Sequence, residues 1–441
     1  MRGKLLLLVV FLVPFISSAQ PGFDFEAGKS KVVIPFQLIN NLIFIPINVN
    51  GVELNFLLDT GVEETILLGL DDKDKVSLFN VQKVKLRGLG SDEAIEGLKS
   101  TDNQLSVNGL VDKNHNLYIV LDQSFNFSSH VGVPINGIIG YHFFKRHLIA
   151  VDYERKQIVV FRDSEKLRKK INRRYSSVPI SIEKNKPYVN AQVILEHDPV
   201  DAKLLLDLGN SDALWLFENK AKGIVLPKNN FEDYLGKGFS GDISGSRARI
   251  SQFQLAGFQF NEPIIAFPDA NSLKNVTMVA DRKGSVGGEI FRRFSLIFDY
   301  PSQTLFVKRS RYYAAKFEYN MSGIELQNDG MQLVQESVPF QTTLVGDNTD
   351  SNEKKTQNNF KYKYVLKPIY TVASVRKDSP AERCGLQKGD LVLSINGSNA
   401  YNFSLQRIND LLKEEEGKWL YFEVDRNGQV LKFRFQLKSI L

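Results

Sequence analysis

The chain has 441 residues, of which 43% are hydrophobic and 24% are charged, and its formal net charge is +6. That length is enough for several domains, and the composition is typical of a globular protein rather than a disordered one. The positive excess is small and falls to +4 when Arg2 and Lys4 are left out, so no nucleic-acid partner is predicted. Cys384 is the single cysteine, which excludes an internal disulfide.

The N-terminus has the pattern of a secretory signal. Two basic residues precede an apolar run at 5–16, and small residues follow at 17–19. We predict a signal peptide over 1–19 that is cleaved before Gln20, and hence export to the periplasm, the cell surface or the medium. The alternative is an uncleaved anchor, but the run is short for a membrane span and contains Pro14. No other segment is predicted to span a membrane.

Short strands predict a β-rich lobe over residues 28–163. Apolar residues alternate at 34–38 and at 43–49, and Asn50-Gly51 is a strong hairpin signal before the next strand. That strand ends abruptly in Phe56-Leu57-Leu58-Asp59-Thr60-Gly61, where an acid follows an apolar run. A carboxylate at the end of a buried strand is costly and calls for an explanation.

A polar and basic stretch at 164–174 follows the first lobe. It is interpreted as a solvated connection, with contact to an acidic surface as the alternative.

A second lobe is predicted over 175–310, and it repeats the first. One of its strands ends in Leu204-Leu205-Leu206-Asp207-Leu208-Gly209, with its aspartate 148 positions after Asp59. The late segments 137–146 and 284–293 also match, and each continues into an apolar strand that ends in Asp-Tyr. Agreement in the same order along the chain indicates a duplication.

A third unit is predicted over 312–441. A short helix at 379–386 is followed by a turn, a strand and a turn at 389–397, and then by a helix and two strands. The stretch 347–359 is polar and lacks hydrophobic periodicity. A flexible insertion is therefore predicted over about 337–362.

The duplicated aspartates determine the predicted chemistry. Two buried carboxylates in duplicated halves are hard to explain unless they meet, because each is costly alone. Facing carboxylates cannot both ionise, so they share a proton and activate a water between them. Gly61 and Gly209 lack a Cβ and allow the two loops to approach, while Thr60 can reach the opposite loop. Asp59 and Asp207 are thus the predicted catalytic residues, and no metal or other cofactor is expected.

At these residues the chain resembles the bilobal aspartic peptidases of the pepsin and retropepsin group. Asp59-Thr60-Gly61 fits their signature, and Ile138-Ile139-Gly140 fits the element that supports each catalytic loop, with a weaker version at Val286-Gly287-Gly288. Gly140 therefore joins Thr60, Gly61 and Gly209 as a supporting residue. The resemblance implies a mainly β fold with two duplicated acid-protease β-barrel lobes. It also implies endopeptidase activity on polypeptides.

The third unit resembles a PDZ domain, through 379–386 and the motifs Gly389-Asp390 and Ser394-Ile395-Asn396-Gly397. The resemblance implies a groove that binds peptide C-termini by strand addition. Its carboxylate loop is expected at Met321, Ser322, Gly323 and Ile324. The combination resembles secreted aspartyl proteases of Bacteroidetes-type bacteria that carry a C-terminal PDZ domain. The groove would recruit substrates or regulate access to the cleft.

Departures from the family pattern leave a second class of function open. Leu208 replaces the Thr or Ser of the second signature, and Val62 and Glu63 replace the small residues that commonly follow Gly61. The alternative is a catalytically inactive, peptide-binding protein that keeps the protease-like lobes.

Two segments, 87–97 and 236–246, are candidate flaps over the cleft. The second contains a glycine pattern that also fits a dinucleotide fingerprint, but no helix is predicted after it, so a hairpin tip is favoured. Neither a zinc-binding histidine motif nor a Gly-x-Ser-x-Gly motif occurs.

Overall fold

The computed structural model describes residues 22–68, 75–86, 95–121, 127–238, 241–274, 278–344 and 355–441. The predicted signal peptide lies outside these ranges. Within them, no helix is both long and apolar enough to cross a bilayer. The prediction of a mainly β fold is confirmed.

The first lobe consists of short strands and two short helices, and a longer helix leads out of it. These elements are β1 (Asp24–Phe25), β2 (Lys31–Pro35), β3 (Gln37–Ile39), β4 (Leu42–Val49), β5 (Val52–Leu58), β6 (Thr65–Leu67), β7 (Gln82–Leu86), β8 (Ile95–Val107), β9 (Leu110–Val120), α1 (Phe127–Val131), β10 (Gly137–Ile139), α2 (Tyr141–Phe144), β11 (Leu148–Asp152), β12 (Gln157–Phe161) and α3 (Glu165–Arg174). Asn50 and Gly51 both take positive φ between β4 and β5, as the hairpin signal predicts.

The second lobe repeats this plan. Its elements are β13 (Ser176–Pro179), β14 (Ser181–Glu183), β15 (Lys186–Ile194), β16 (Pro199–Leu206), β17 (Leu214–Leu216), a 3₁₀ turn (Lys220–Lys222), β18 (Asn230–Gly238), β19 (Gly241–Arg249), β20 (Gln252–Leu255), β21 (Phe258–Asn261), β22 (Ile264–Pro268), α4 (Ala270–Leu273), β23 (Arg282–Val286), α5 (Gly288–Phe291), β24 (Phe294–Asp299) and β25 (Thr304–Arg309). In both lobes the strand that leads to the aspartate pairs in parallel with a later strand, β5 with β10 and β16 with β23.

The two lobes share one sheet and one core. β11 of the first lobe pairs antiparallel with β24 of the second, with Ile149 opposite Phe298. Buried side chains from both lobes, including Phe144 and Phe298, form one continuous apolar cluster. Because the lobes are joined by backbone hydrogen bonds and by a common core, the loops that they carry are held in a fixed relation.

The basic stretch between the lobes forms the helix α3. Ser164 caps its N-terminus by accepting a hydrogen bond from the Leu167 amide, and Ile171 is buried against the shared sheet. Arg168 pairs with Asp299 at 2.9 Å. One face of this connection therefore packs on the protein, while most of its basic side chains are solvated.

The C-terminal unit begins with two long strands. Its elements are β26 (Ile324–Leu344), β27 (Lys355–Val375), α6 (Pro380–Cys384), β28 (Leu391–Ile395), β29 (Ser398–Asn399), a 3₁₀ turn (Ala400–Asn402), α7 (Leu405–Leu411), β30 (Trp419–Arg426) and β31 (Gln429–Gln436). The sheet order is β26-β27-β28-β30-β31, with β29 beside β28. Leu326, Val372, Ile408 and Phe422 belong to its core.

The flexible insertion predicted over 337–362 is wrong for its described part. Strands β26 and β27 pair as far as Leu344 and Lys355, and only 345–354 lie outside the described residues. Phe360, Tyr362 and Tyr364 alternate with lysines, which is the period of a strand. The central stretch 347–359 is polar, but the residues beside it alternate between aromatic and basic side chains.

Candidate active site

Each predicted catalytic aspartate directly follows a buried strand. The Asp59 amide donates to the carbonyl of Ile139 at 2.8 Å, and the Asp207 amide donates to the carbonyl of Val286 at 2.9 Å. The parallel pairing of β5 with β10 and of β16 with β23 therefore continues through both acids. Equivalent backbone bonds in the two lobes give the acids equivalent positions.

The two carboxyl groups meet at the boundary between the lobes. The Asp59 and Asp207 side chains lie close enough across this boundary for the charge of Asp207 to raise the pKa of Asp59. A Cβ on Gly61 would lie 3.0 Å from Asp59 Oδ1 and 3.1 Å from Asp207 Oδ1. A Cβ on Gly209 would lie 2.3 Å from Asp59 Cγ. Only glycine fits at these two points, as the sequence predicts.

Backbone amides hold one oxygen of each carboxyl group. The Gly61 amide donates to Asp59 Oδ1 at 2.6 Å, and the Gly209 amide donates to Asp207 Oδ1 at 3.1 Å. Both side chains remain partly exposed, so solvent reaches them from the cleft.

Thr60 joins the two catalytic loops. Its hydroxyl donates to the carbonyl of Leu206 at 2.6 Å and accepts from the amide of Leu208 at 3.0 Å. The Thr60 side chain is fully buried. Leu208 is 1% exposed and belongs to the shared core, so packing takes the place of the hydroxyl that the family signature has there.

The supporting glycines lie behind the loops. A Cβ on Gly140 would meet the carbonyl oxygen of Asp59 at 2.3 Å, and one on Gly287 would meet that of Asp212 at 2.3 Å. Gly140 therefore occupies the expected position, and Gly287 is its counterpart in the second lobe. Larger residues would push the catalytic loops away from each other.

Burial governs the ionisation of the pair. Desolvation raises the pKa of Asp59, and the charge of Asp207 raises it further. Desolvation also raises the pKa of Asp207, against the opposing charges of Arg282 and Lys186. Since both pKa values lie above that of a free aspartate, the pair retains a proton well above the ordinary carboxyl range. The pair titrates as a unit.

A further contact across the lobes was not predicted. Asn185 Nδ2 donates to Glu63 Oε1 at 2.6 Å. Asn185 lies in the turn between β14 and β15, where it and Lys184 take positive φ. Glu63 follows the first signature as one of its departures, so a role for it could be suspected, but the partner in the other lobe could not be read from the sequence.

The second candidate flap is a hairpin, while the first is only partly described. β18 and β19 pair as far as Gly238 and Gly241, which confirms a hairpin and excludes a dinucleotide-binding turn. β7 and β8 pair as far as Leu86 and Ile95, and 87–94 lie outside the described residues. On the second hairpin, Tyr234 stacks on His130 of α1 with ring centroids 5.9 Å apart, so the hairpin reaches the opposite lobe.

The predicted carboxylate loop of the third unit is closed by its own hydrogen bonds. Asn320 Oδ1 accepts from the amides of Ser322 at 3.1 Å and Gly323 at 3.2 Å. Ser322 Oγ accepts from the Ile324 amide, and the carbonyl of Leu412 accepts from the Met321 amide. The loop is buried. All four amides that would bind a peptide carboxylate are occupied within the chain.

A series of ion pairs connects the 321–324 loop region to the second catalytic loop. Arg376 follows β27, and its Nη1 donates to the carbonyl of Asn320 at 3.1 Å and lies 3.7 Å from Asp233. Asp233 and Asp212 each accept from Arg247 at 2.7 Å. Asp212 follows Asp207 by a few residues. The hairpin that carries Asp233 and Arg247 is thus tied at both ends.

Two family models and one solved structure are similar to parts of this chain. Residues 45–143 match a family model described as aspartyl protease, and residues 371–426 match the model of the PDZ domain. The chain is also similar to the crystal structure of an aspartic proteinase from Irpex lacteus, with a TM-score of 0.44 and 12% identity, covering 65% of this chain and 99% of that one. No curated protein sequence matches the chain.

The matches define the class of protein. The chain carries an aspartyl protease domain and a C-terminal PDZ domain. The family model covers the segment that contains Asp59 and Gly140; the second lobe, with Asp207, is its structural repeat.

Proposed function

We propose that the protein is an exported aspartic-type endopeptidase whose catalytic groups are Asp59 and Asp207. The observation that carries the proposal is the close approach of these two acids, which come from separate lobes: a Cβ on Gly61 would lie 3.0 Å from Asp59 Oδ1 and 3.1 Å from Asp207 Oδ1. Export rests on the leader pattern at 1–19. Polypeptides are the proposed substrates, on the support of the aspartyl protease match.

The proposed mechanism uses one proton shared by the pair. The ionised carboxylate accepts a proton from a water that attacks the scissile carbonyl, while its protonated partner donates a proton to the carbonyl oxygen. The tetrahedral species then collapses as a carboxyl group protonates the departing amine. The amides of Gly61 and Gly209 keep the carboxyl groups oriented throughout.

Cleavage of an unfolded polypeptide tests this proposal. Asp59→Asn and Asp207→Asn should each abolish turnover, because an amide can neither accept the proton of water nor share one with its neighbour. Asp198→Asn, at an exposed position, is the matched control and should retain full activity. Cleavage that persists in either active-site variant would show that the pair is not the catalyst.

The second candidate function is an inactive peptide-binding protein, and Leu208 is the observation that favours it. The same cleft would then bind peptides without hydrolysis. A wild-type protein that binds members of a broad peptide library but cleaves none between pH 4 and 8 would support this alternative. Turnover of any member that depends on Asp59 would exclude it.

For the PDZ domain we propose a role in regulating access to the cleft. The capped amides of the 321–324 loop and the Arg376–Asp233 contact support it. Asn320→Ala frees two amides of the loop and should increase the affinity for peptides with a free C-terminal carboxylate over their amidated forms. Strong carboxylate-dependent binding by the wild type would instead favour substrate recruitment.

A further inference from the structure

The duplicated lobes place different residues opposite their two aspartates. In the first lobe Phe44 pairs with Leu57 at the end of the paired register, and extending that register by two residues would align Leu42 with Asp59. In the second lobe Tyr188 pairs with Leu205. The same extension would align Lys186 with Asp207.

Residues directly opposite each other on antiparallel strands share a face and have Cβ atoms about 5 Å apart. By this alignment one acid has an apolar residue at this position and the other has a cation, and the charge of Lys186 acts on both acids. The backbone hydrogen bonds of the two acids are equivalent in the two lobes, so this cation is a feature of the second lobe alone.

The turn beside Lys186 is held against the first lobe. Asn185 Nδ2 donates to Glu63 Oε1 at 2.6 Å, and this contact fixes the start of β15 close to the first catalytic loop. Lys186 is partly exposed. Among the described residues, none makes a hydrogen bond or an ion pair with its ammonium.

The charged groups around the Lys186 ammonium come from three elements. Asp59 and Glu63 come from the loop after β5, Asp207 from the loop after β16, and Arg282 from β23. Tyr188, on the same strand as Lys186, also lies near Asp207 and Arg282. Burial lowers the pKa of Lys186, while the two catalytic acids oppose that change.

We propose that Lys186 is an electrostatic positioning residue, which stabilises the singly ionised state of the Asp59/Asp207 pair against full protonation and so extends catalysis toward lower pH. The proposal rests on the proposed peptidase function. Arg282 adds to the field but is tied down, because its Nε donates to the carbonyl of Gly284 and its guanidinium lies 5.1 Å from the ring centre of Phe217. Lys186 is therefore the cation that can move toward the carboxyl groups of the pair.

The first test is the pH dependence of kcat/KM for wild type and three variants. A unit charge about 6 Å away shifts a pKa by roughly one to two units at an effective dielectric of 20. Lys186→Leu, which reproduces Leu42, should therefore move the acid limb upward by about one to two pH units. Lys186→Arg should restore the wild-type profile. Lys184→Leu removes the same charge at an exposed position of the same turn and should leave the profile unchanged.

The second test does not depend on turnover. Carbon-13 NMR of labelled aspartate carboxyl groups follows the ionisation of the pair in the intact chain, and its first apparent pKa should rise in Lys186→Leu but not in Lys184→Leu. An identical titration in wild type and Lys186→Leu would overturn the proposal. Inactive protein with the expected titration shift would contradict the peptidase function and leave the role of Lys186 intact.

Discussion

At the residue scale, Thr60 shows how the site depends on both lobes at once. Its hydroxyl uses both its donor and its acceptor capacity on the backbone of the second catalytic loop. The reciprocal hydroxyl is absent because Leu208 has none. Thr60 therefore makes its own two hydrogen bonds to the opposite loop, and the Leu208 side chain supplies none in return.

Thr60→Val should weaken both stability and activity. Valine keeps the shape but leaves the Leu206 carbonyl and the Leu208 amide buried without that partner, which costs about 1–3 kcal/mol in the free energy of unfolding. Chemical denaturation measures the loss, and kcat should fall with it because the carboxyl groups separate. Thr60→Ser keeps the hydroxyl and is the control. Equal stability of Thr60→Val and wild type would show that the bond carries no weight.

His115 forms a buried hydrogen-bonded group behind the first catalytic loop. Its Nδ1 lies 2.8 Å from Asp112 Oδ2 and its Nε2 lies 2.6 Å from Thr65 Oγ1. Desolvation lowers the pKa of His115, against the raising effect of Asp112. Neutral His115 can donate to Asp112 and accept from Thr65, so protonation would force the Thr65 hydroxyl to turn and accept instead of donate.

The contribution of His115 to stability should depend on pH. Because the pKa of His115 is lower in the folded chain than the unfolded value of about 6.5, its contribution is present above that pH and is lost as the pH falls. We therefore expect the stability advantage of wild type over His115→Asn to shrink between pH 7 and pH 5. Thermal melting measures it, and His197→Asn, at an exposed position, serves as the control. An advantage that stays constant over this range would contradict the assignment.

At the element scale, the β18–β19 hairpin links the PDZ domain to the protease lobes. Its Asp233 and Arg247 lie between Arg376 of the PDZ domain and Asp212 near the second catalytic loop. Phe231 on the same hairpin lies 4.4 Å below the Arg376 guanidinium. A movement of the PDZ domain would therefore pull on a hairpin that borders the cleft.

Asp233→Ala should loosen this link. The substitution leaves Arg376 buried without its acidic neighbour, and breaking a buried pair costs about 3–5 kcal/mol. The thermal midpoint should fall, and limited proteolysis between the second lobe and the PDZ domain should accelerate. Asp242→Ala lies at an exposed position of the same hairpin and should change neither. If both variants behave alike, the series of ion pairs does not hold the domains together.

The β26–β27 ribbon shows the limit of reading polarity alone. Its paired strands place Leu333, Leu366, Tyr364 and Tyr362 along one face, and these side chains are exposed. The other face carries Glu336, which pairs with Lys363 and Lys367. The alternation that produces two such faces was present in the sequence, but it was obscured by the polar residues around 350.

Substitutions on this ribbon should leave stability unchanged. Tyr362 and Tyr364 are 64% and 69% exposed, whereas Tyr370 on the same strand is 3% exposed and donates its hydroxyl to the carbonyl of Phe403. Serine at 362 or 364 should change the free energy of unfolding by less than about 0.5 kcal/mol. Serine at 370 should cost about 3 kcal/mol or more. A large loss at 362 would mean that the exposed face is covered in solution.

At the scale of the whole molecule, duplication explains what the sequence could predict. The repeated Asp-x-Gly motifs predicted Asp59, Asp207 and the close approach of Gly61 and Gly209. These features could be predicted because the same short motif occurs at the same place in both lobes. The Asn185–Glu63 contact, the series of ion pairs through Asp233 and the position of Lys186 depend on how separate lobes and strands align. Such alignments leave no local signal in the chain.

The proposed catalytic pair depends most on Asp207, because the matched protease segment ends before this residue. The neighbouring Leu208 also departs from the family signature. The decisive measurement is the rate at which folded Asp207→Asn cleaves an unfolded polypeptide, compared with wild type and with Asp198→Asn. The account predicts a loss of at least about 10²–10⁴-fold in kcat, with the thermal midpoint retained. Undiminished cleavage by folded Asp207→Asn would contradict a catalytic pair built from both lobes.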